Sequence, residues 1–351
     1  MSSSNVFVAV VIGLDRGQEI SSMIVHFDNG QSAGLDWSDP RSATFMSVLG
    51  ELRRMNLAAY VEIDSATQAI KRLLVPLEAK VIGIKKVERI ESQDIEVDLE
   101  ISNARHLLKR ANPDFKRLLE RLQDAKHKGV PVRVTEDESG REIIDVSPVP
   151  NPPSPAMQVT LLTSSAELSP TLTTVTPARA QELFSLVADR SCDAIAPQPT
   201  CIPFLYPRDG CAARAHEMCR LMILGGEQPG KLWIYGTLQA DTRNDPDCKV
   251  NWGFHVAPTL MVDVGFRTQL QVIDPALFGR PVSKAEWKRR LGDSKATLVP
   301  TDSSPFLHSL NGTDLSDPDY ALTIYWLGHF RQQLQIRSAS SFGPPPYKNC
   351  P

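Results

Sequence analysis

The chain has 351 residues, of which 42% are hydrophobic, and a formal net charge of −3. Residues 1–150 carry 20 Lys/Arg against 23 Asp/Glu and residues 151–351 carry 18 against 18, so neither half has the basic footprint of a nucleic-acid binder. The length suits about two domains, and no apolar run reaches the ~20 residues of a membrane-spanning helix; the expected partners therefore include neither nucleic acid nor a membrane.

In chain order, the first apolar run is Val6 to Leu14. No Lys or Arg precedes it and no small-residue cleavage site follows, so it reads as a buried strand rather than a signal core. The expected location is the cytoplasm, or outside the cell by a route that needs no cleavable signal. Strand-like runs follow at 22–27, 58–63, 72–76, 80–87 and 94–101. Asn112 as N-cap and Pro113 at the first helical position predict a helix carrying Phe115, Leu118, Leu119 and Leu122 up to about Lys126. Residues 130–134 and 142–146 then read as a closing hairpin around Ser139 and Gly140. Residues 1–146 are thus expected to form a β-rich α+β domain of unassigned role, one that could hold a partner or regulate the rest. Its histidines are scattered and suggest no site.

Residues 147–157 are rich in proline and read as an extended linker. Beyond it lies a second expected domain, 158–337, followed by a flexible tail, 338–351. Thr176 before Pro177 predicts a helix to about Asp189. Asp209 is read as the N-cap of a helix that starts at Gly210–Cys211, carries Ala215, Met218, Cys219 and Met222 at helical spacing, and ends at Gly225–Gly226. Ser283 with Glu286 three residues on is a capping box, and 320–336 is a further strand or helix.

Chemistry concentrates in the second half. Cys211, on the first turn of its helix, would sit at the positive end of the helix dipole. Such a position, with a neighbouring imidazolium, can lower a thiol to roughly 3.5–7.5 and make it nucleophilic. Downstream, Trp252-Gly253-Phe254-His255 and Val272-Ile273-Asp274-Pro275 supply a histidine and an aspartate in strand-like surroundings. A two-residue turn at Val264–Gly265 would set His255 opposite Asp274, close enough for the carboxylate to accept the Nδ1 proton and leave Nε2 free. Pro258 suggests an edge or a bulge in the first of these strands. His216, five residues past Cys211, reads as packing. The six cysteines lack the paired short spacings of a zinc site, so no metal and no cofactor is expected.

These three motifs, in this order, resemble the bacterial protein-glutaminase (protein-glutamine deamidase) family over roughly residues 200–290. The resemblance implies a transglutaminase- or papain-like thiol hydrolase core, with Cys211 as nucleophile, His255 as acid/base and Asp274 as the orienting carboxylate. It implies deamidation of protein-bound glutamine to glutamate through a thioester, with release of ammonia and with a glutamine-bearing protein as substrate. Trp252 and Phe254 are candidates for the substrate-binding wall, with plain core packing as the other reading. A transglutaminase or cysteine peptidase using the same triad, or a non-catalytic interaction protein, remains the alternative. Family members are exported with a cleaved signal and a pro-segment; if this chain is exported, Cys192 with Cys201 is one candidate disulfide.

Overall fold

The computed structural model describes residues 4–16, 23–87, 93–149, 161–163, 172–310 and 313–351. It divides into two compact units: residues 1–100, 106–157 and 332–344 in the first, and 101–105, 158–331 and 345–351 in the second. The fold is α+β throughout.

The first unit opens with β1 (Ser4–Arg16), β2 (Met23–Phe27), β3 (Ser32–Leu35), α1 (Ser42–Met55), β4 (Ala58–Asp64) and β5 (Ile70–Leu74). These strands make one antiparallel sheet, ordered β3-β2-β1-β4-β5. The buried run Ala9–Val11 lies where β1 passes from one neighbour to the other, so both its faces are covered. Helix α1 turns Phe45, Val48, Leu49 and Leu52 inward at the helical period. It ends where Asn56 adopts the left-handed conformation and closes the last turn.

A second sheet, ordered β10-β9-β6-β7-β8, combines β6 (Leu77–Lys86), β7 (Ile95–Leu99), β8 (His106–Leu108), β9 (Pro131–Glu136) and β10 (Ile143–Pro148). The helix α2 (Phe115–Lys128) buries Phe115, Leu118, Leu122 and Ala125 against it. Its N-cap is Asp114, not Asn112; Asn112 instead uses its side-chain oxygen to accept from the Asp114 amide.

The second unit holds β11 (Leu161–Thr163), β12 (Thr174–Val175), α3 (Pro177–Ala188), α4 (Cys211–Leu224), β13 (Gly230–Asp241), β14 (Lys249–Asp263), β15 (Thr268–Val272), β16 (Val282–Ser283), α5 (Lys284–Arg290), β17 (Thr297–Asp302), β18 (Pro305–Leu307), β19 (Thr313–Ser316) and the first part of α6 (Ala321–Ala339). A six-stranded sheet runs β16-β15-β14-β13-β17, with β12 beside β14, and a small sheet joins β11, β19 and β18. Leu232, Ile234, Leu238, Val250, Trp252 and Trp287 form part of the core on one side of the large sheet. Helix α4 packs on β14, and α3 lies against both α4 and β14. Two helix starts follow the sequence signals: Thr176 accepts from the Arg179 amide with Pro177 behind it, and Ser283 accepts from the Glu286 amide.

Three boundaries differ from the sequence reading. Strand β10 continues through Ser147 and Pro148, which stand at its end, so the ladder runs into the expected linker; residues 150–157 of that linker lie outside the described residues. The expected flexible tail 338–351 is structured. Residues 345–351 belong to the second unit, where Cys350 forms a disulfide with Cys248 and the Tyr347 amide donates to the Arg243 carbonyl. Residues 332–344 belong to the first unit, so the division falls inside α6. Finally, Pro258 interrupts nothing. It pairs with Lys231 inside β14, one residue before the β15 ladder begins, and the bulge of this strand pair is on β13 between Tyr235 and Leu238.

Candidate active site

Cys211 is the first residue of α4, but the cap differs from the one expected. The N-cap is Gly210, held left-handed at φ 82°. Any side chain there would also collide with the ring of Phe330, so position 210 needs glycine on both counts. Asp209 is thereby displaced from the capping position. Its carboxylate accepts instead from the Gly210 amide, the Asn103 amide and the Ser102 hydroxyl.

His255 lies on β14 opposite Ile234, and Asp274 follows the end of β15. The turn between these strands is wider than a two-residue loop: Asp263 pairs with Thr268, and the Val264 amide donates to the Arg267 carbonyl. His255 and Asp274 are therefore not opposed residues. They meet because the chain, leaving β15 with the Ile273 amide on the Pro258 carbonyl, turns Asp274 back toward the strand.

The contact is His255 Nε2 to Asp274 Oδ2 at 2.9 Å, the reverse of the expected ring orientation. Nδ1 of His255 is buried and has no hydrogen-bond partner. With Asp274 accepting the Nε2 proton, Nδ1 is the basic nitrogen. The imidazole is also clamped. Trp252 stacks on it face to face at 4.5 Å and 5°, and Trp287 lies 5.7 Å away on α5. The Trp287 indole additionally donates to Asp274 Oδ2 at 2.9 Å. The Ser283 hydroxyl, accepting from the Glu286 amide, thus caps the short helix that delivers this tryptophan.

Trp252 is fully buried and donates to the Arg208 carbonyl, so it is a platform for His255. Phe254 lies instead among Trp233 and Tyr235. Arg208 is itself held by Asp245 in a buried two-point ion pair. The Arg208–Asp245 pair, Trp287 and Arg214 had no role in the sequence reading, which named Trp252 for the substrate wall rather than as a platform. The Arg214 signal was its place three residues after Cys211, on the same helical face. Its guanidinium donates to the Tyr206 and Asp209 carbonyls and bears on both the Cys211 sulfur and Asp274.

The electrostatics follow from burial. Cys211, His255 and Asp274 are 1%, 2% and 3% exposed, so the site is closed to bulk water. Burial pushes the Cys211 thiol up, with Asp209 and Asp274 adding to the effect against Arg214 and the Val256 amide. This reverses the lowered thiol expected from the helix start: desolvation outweighs the dipole while the site is covered. At Asp274 burial also works upward. The charge and hydrogen bond of His255, the Trp287 indole and Arg214 outweigh it and hold the carboxyl below the usual carboxylate range.

That depression makes a stability prediction. A carboxyl whose folded pKa lies below its unfolded value contributes stability that is present above the unfolded pKa and lost as pH falls through the folded one. Wild type should therefore exceed Asp274→Asn in urea midpoint near pH 6, and the gap should close as the pH falls below about 4. Trp287→Phe keeps a ring in the core but removes one hydrogen bond to a charged acceptor. Turnover is expected to fall about 10- to 100-fold, from the ~1.5–3 kcal/mol of such a bond, with little change in far-UV circular dichroism.

The cover over the site is the segment Ile101–Arg105. Ala104 bridges Trp252 in antiparallel fashion, and the Asn103 carbonyl accepts from the Gly253 amide. The Asn103 side chain points its Oδ1 at the Cys211 amide, 3.4 Å away. Its Nδ2 is buried without a partner. Among the described residues no group of His, Cys, Asp and Glu could hold a metal ion.

Residues 180–291 match the family model described as glutaminase. The crystal structure of pro-protein-glutaminase is 25% identical, with a TM-score of 0.54 over 74% of this chain and 93% of that one. The family model and the structural likeness together support a protein-glutaminase assignment. A mutant of the same pro-protein matches at 25% identity and a TM-score of 0.53, covering 72% of this chain and 91% of that one. Protein-glutaminase from Chryseobacterium proteolyticum is 29% identical over 43% of this chain and 85% of that one, with a TM-score of 0.39. A comparison with curated protein sequences gives no match. The matched family and the similar structures are glutaminases, hydrolases of the glutamine amide.

Proposed function

We propose that Cys211, His255 and Asp274 carry out the deamidation. The observation that supports this most is the Asn103 carboxamide, whose oxygen already rests on the Cys211 amide, the donor an oxyanion would need. In the proposed reaction His255 Nδ1 takes the Cys211 proton and the sulfur attacks the carbonyl carbon of a glutamine side chain. The Cys211 amide stabilises the oxyanion, and the imidazolium returns the proton to the departing ammonia. Water, deprotonated by the same nitrogen, then hydrolyses the thioester to glutamate and restores the thiol. Asp274 and the two tryptophans keep the imidazole aligned. Trp252 acts on His255 in this reading, and Phe254 is proposed for the wall of the substrate channel.

For a substrate glutamine to enter, Ile101–Arg105 must leave. The likeness to a pro-protein supports reading residues 1–146 as a regulatory region rather than as a surface for another partner. The disulfides Cys192–Cys201 and Cys248–Cys350 support an oxidising destination, and so export over the cytoplasm. Incubation with a loosely folded glutamine-rich protein and an excess of primary amine tests the reaction class. Glutamate and free ammonia without cross-links are expected, whereas amine incorporation as the main product would make the chain a transglutaminase.

A further inference from the structure

We propose that Arg214 is a positioning residue for the nucleophile: its guanidinium is the counter-cation of the Cys211 thiolate and lets the sulfur ionise once substrate is admitted. Its role in turnover rests on the deamidase reading above; its effect on the sulfur does not. Three observations carry it. Arg214 is 2% exposed and stands three residues after Cys211 on α4, on the same helical face. Its hydrogen bonds among the described residues go to the Tyr206 and Asp209 carbonyls, both from Nη1, and not to a carboxylate. Nη2 is buried and has no partner. A cation buried in this way is costly, and a neutral donor would serve to hold two carbonyls.

The charge has a use in the first step of the reaction. Cys211 Sγ gives its proton to His255 Nδ1, and the imidazolium so formed is balanced by Asp274 on Nε2. That leaves the thiolate without a cation of its own. The charged and titratable groups around the sulfur and its proton acceptor are Arg214 on α4, Asp209 before it, His255 on β14, Asp274 past β15 and Tyr235 on β13. Burial acts most strongly on the thiol and raises it; Arg214 is the next influence and works the other way, while Asp209 and Asp274 add to the rise. The Asp209 carboxylate is engaged by the Gly210 and Asn103 amides and the Ser102 hydroxyl, which leaves the guanidinium for the sulfur. When Ile101–Arg105 leaves and water reaches the site, the burial that opposes ionisation weakens. An arginine keeps its charge through that change.

The test is the pH dependence of Cys211 alkylation by iodoacetamide in the full chain, read by peptide mapping for wild type, Arg214→Gln and Arg214→Lys. Opening of the segment scales the rate of a variant at every pH, so the midpoint of each profile is compared and not the rate itself. Loss of a neighbouring cation moves a thiol upward, and the Arg214→Gln midpoint is expected about 1 pH unit or more above wild type. Arg214→Lys keeps the charge and is expected to restore roughly half of that difference or more. Coincident midpoints for wild type and Arg214→Gln overturn the proposal. So does an equal rise in Arg214→Lys, which would make Arg214 a buckle between Tyr206 and Asp209. Where urea denaturation shows Arg214→Gln to be unfolded, Arg214→Met takes its place, since an apolar side chain suits a buried site; loss of the fold in both would mark a structural role and overturn the proposal too. Ammonia release from an added glutamine-rich protein separates the two readings. The kcat of Arg214→Gln is expected to fall about 10- to 100-fold with KM changed less than about threefold. No ammonia from wild type would end the deamidase reading, with the alkylation midpoints still deciding on Arg214. Turnover in wild type with an unchanged kcat in Arg214→Gln overturns the role of Arg214 and leaves the function standing.

Discussion

Asp274→Asn is expected to lower kcat for ammonia release by about 10³- to 10⁴-fold, the scale seen when a triad carboxylate loses its charge. The substitution isolates that charge. His255 Nε2 and the Trp287 indole both donate to one oxygen of Asp274, and an asparagine carbonyl can accept both, so the imidazole keeps its place between Trp252 and Trp287. What disappears is the negative charge that stabilises the imidazolium while ammonia departs. A loss of less than about tenfold, with the fold intact, would mean that Asp274 is only a structural partner of His255. Pre-steady-state measurement of the first ammonia released separates this step from the opening of the site.

Cys211→Ser is expected to be larger still, with turnover falling to the blank. The hydroxyl occupies the space of the thiol, so Gly210, the Phe330 contact and the start of α4 are undisturbed. The site, however, offers little to activate an alcohol. Burial already drives even the thiol upward while the segment is in place, and a serine would have to be ionised from a far weaker acid by the same Nδ1. Loss of about 10⁴-fold or more, measured as ammonia per mole of chain, is expected. Retained turnover would show that another group is the nucleophile; Cys219, buried in the same helix and itself pushed up to about 11, would be the next thiol to examine.

The sequence made the site legible by order and surroundings more than by periodicity. Cys211 and His255 stand in elements that were readable, a helix start and a strand, and Asp274 stands just past the end of another. The contact between His255 and Asp274 was anticipated for a reason that does not hold, since the turn is longer and Asp274 comes back from beyond the strand end. A tight turn and a wide one leave the same alternating pattern in the strands, so periodicity alone could not choose between them. Ring orientation was out of reach for a related reason, because Trp252 and Trp287 decide it through stacking and a hydrogen bond to Asp274. The cap at Asp209 failed because Gly210 is left-handed, a conformation that glycine permits but does not announce.

In the first unit, the strands near 58–63, 72–76, 80–87 and 94–101 were anticipated from β-rich runs. Helix α1 was missed although Phe45, Val48, Leu49 and Leu52 repeat at the helical period; the run is short and surrounded by turn residues. The segment Ile101–Arg105 carried no sequence signal at all. Its role is tertiary: Ser102 and Asn103 acquire meaning only when Asp209, Cys211 and Gly253 are beside them. The tail was read as free because it is rich in proline and glycine. Cys350 pins it through a disulfide whose partner is 102 residues away, beyond any local pattern.

The central claim is that one sulfur carries the amide chemistry, and an alkylation titration tests it most directly. The chain is treated with graded iodoacetamide in the presence of a glutamine-rich protein, peptide mapping gives the fraction of Cys211 modified, and ammonia and glutamate are counted in parallel. Both products should fall in proportion to unmodified Cys211 and vanish when none remains. Undiminished turnover by chains whose Cys211 is fully alkylated would contradict the account.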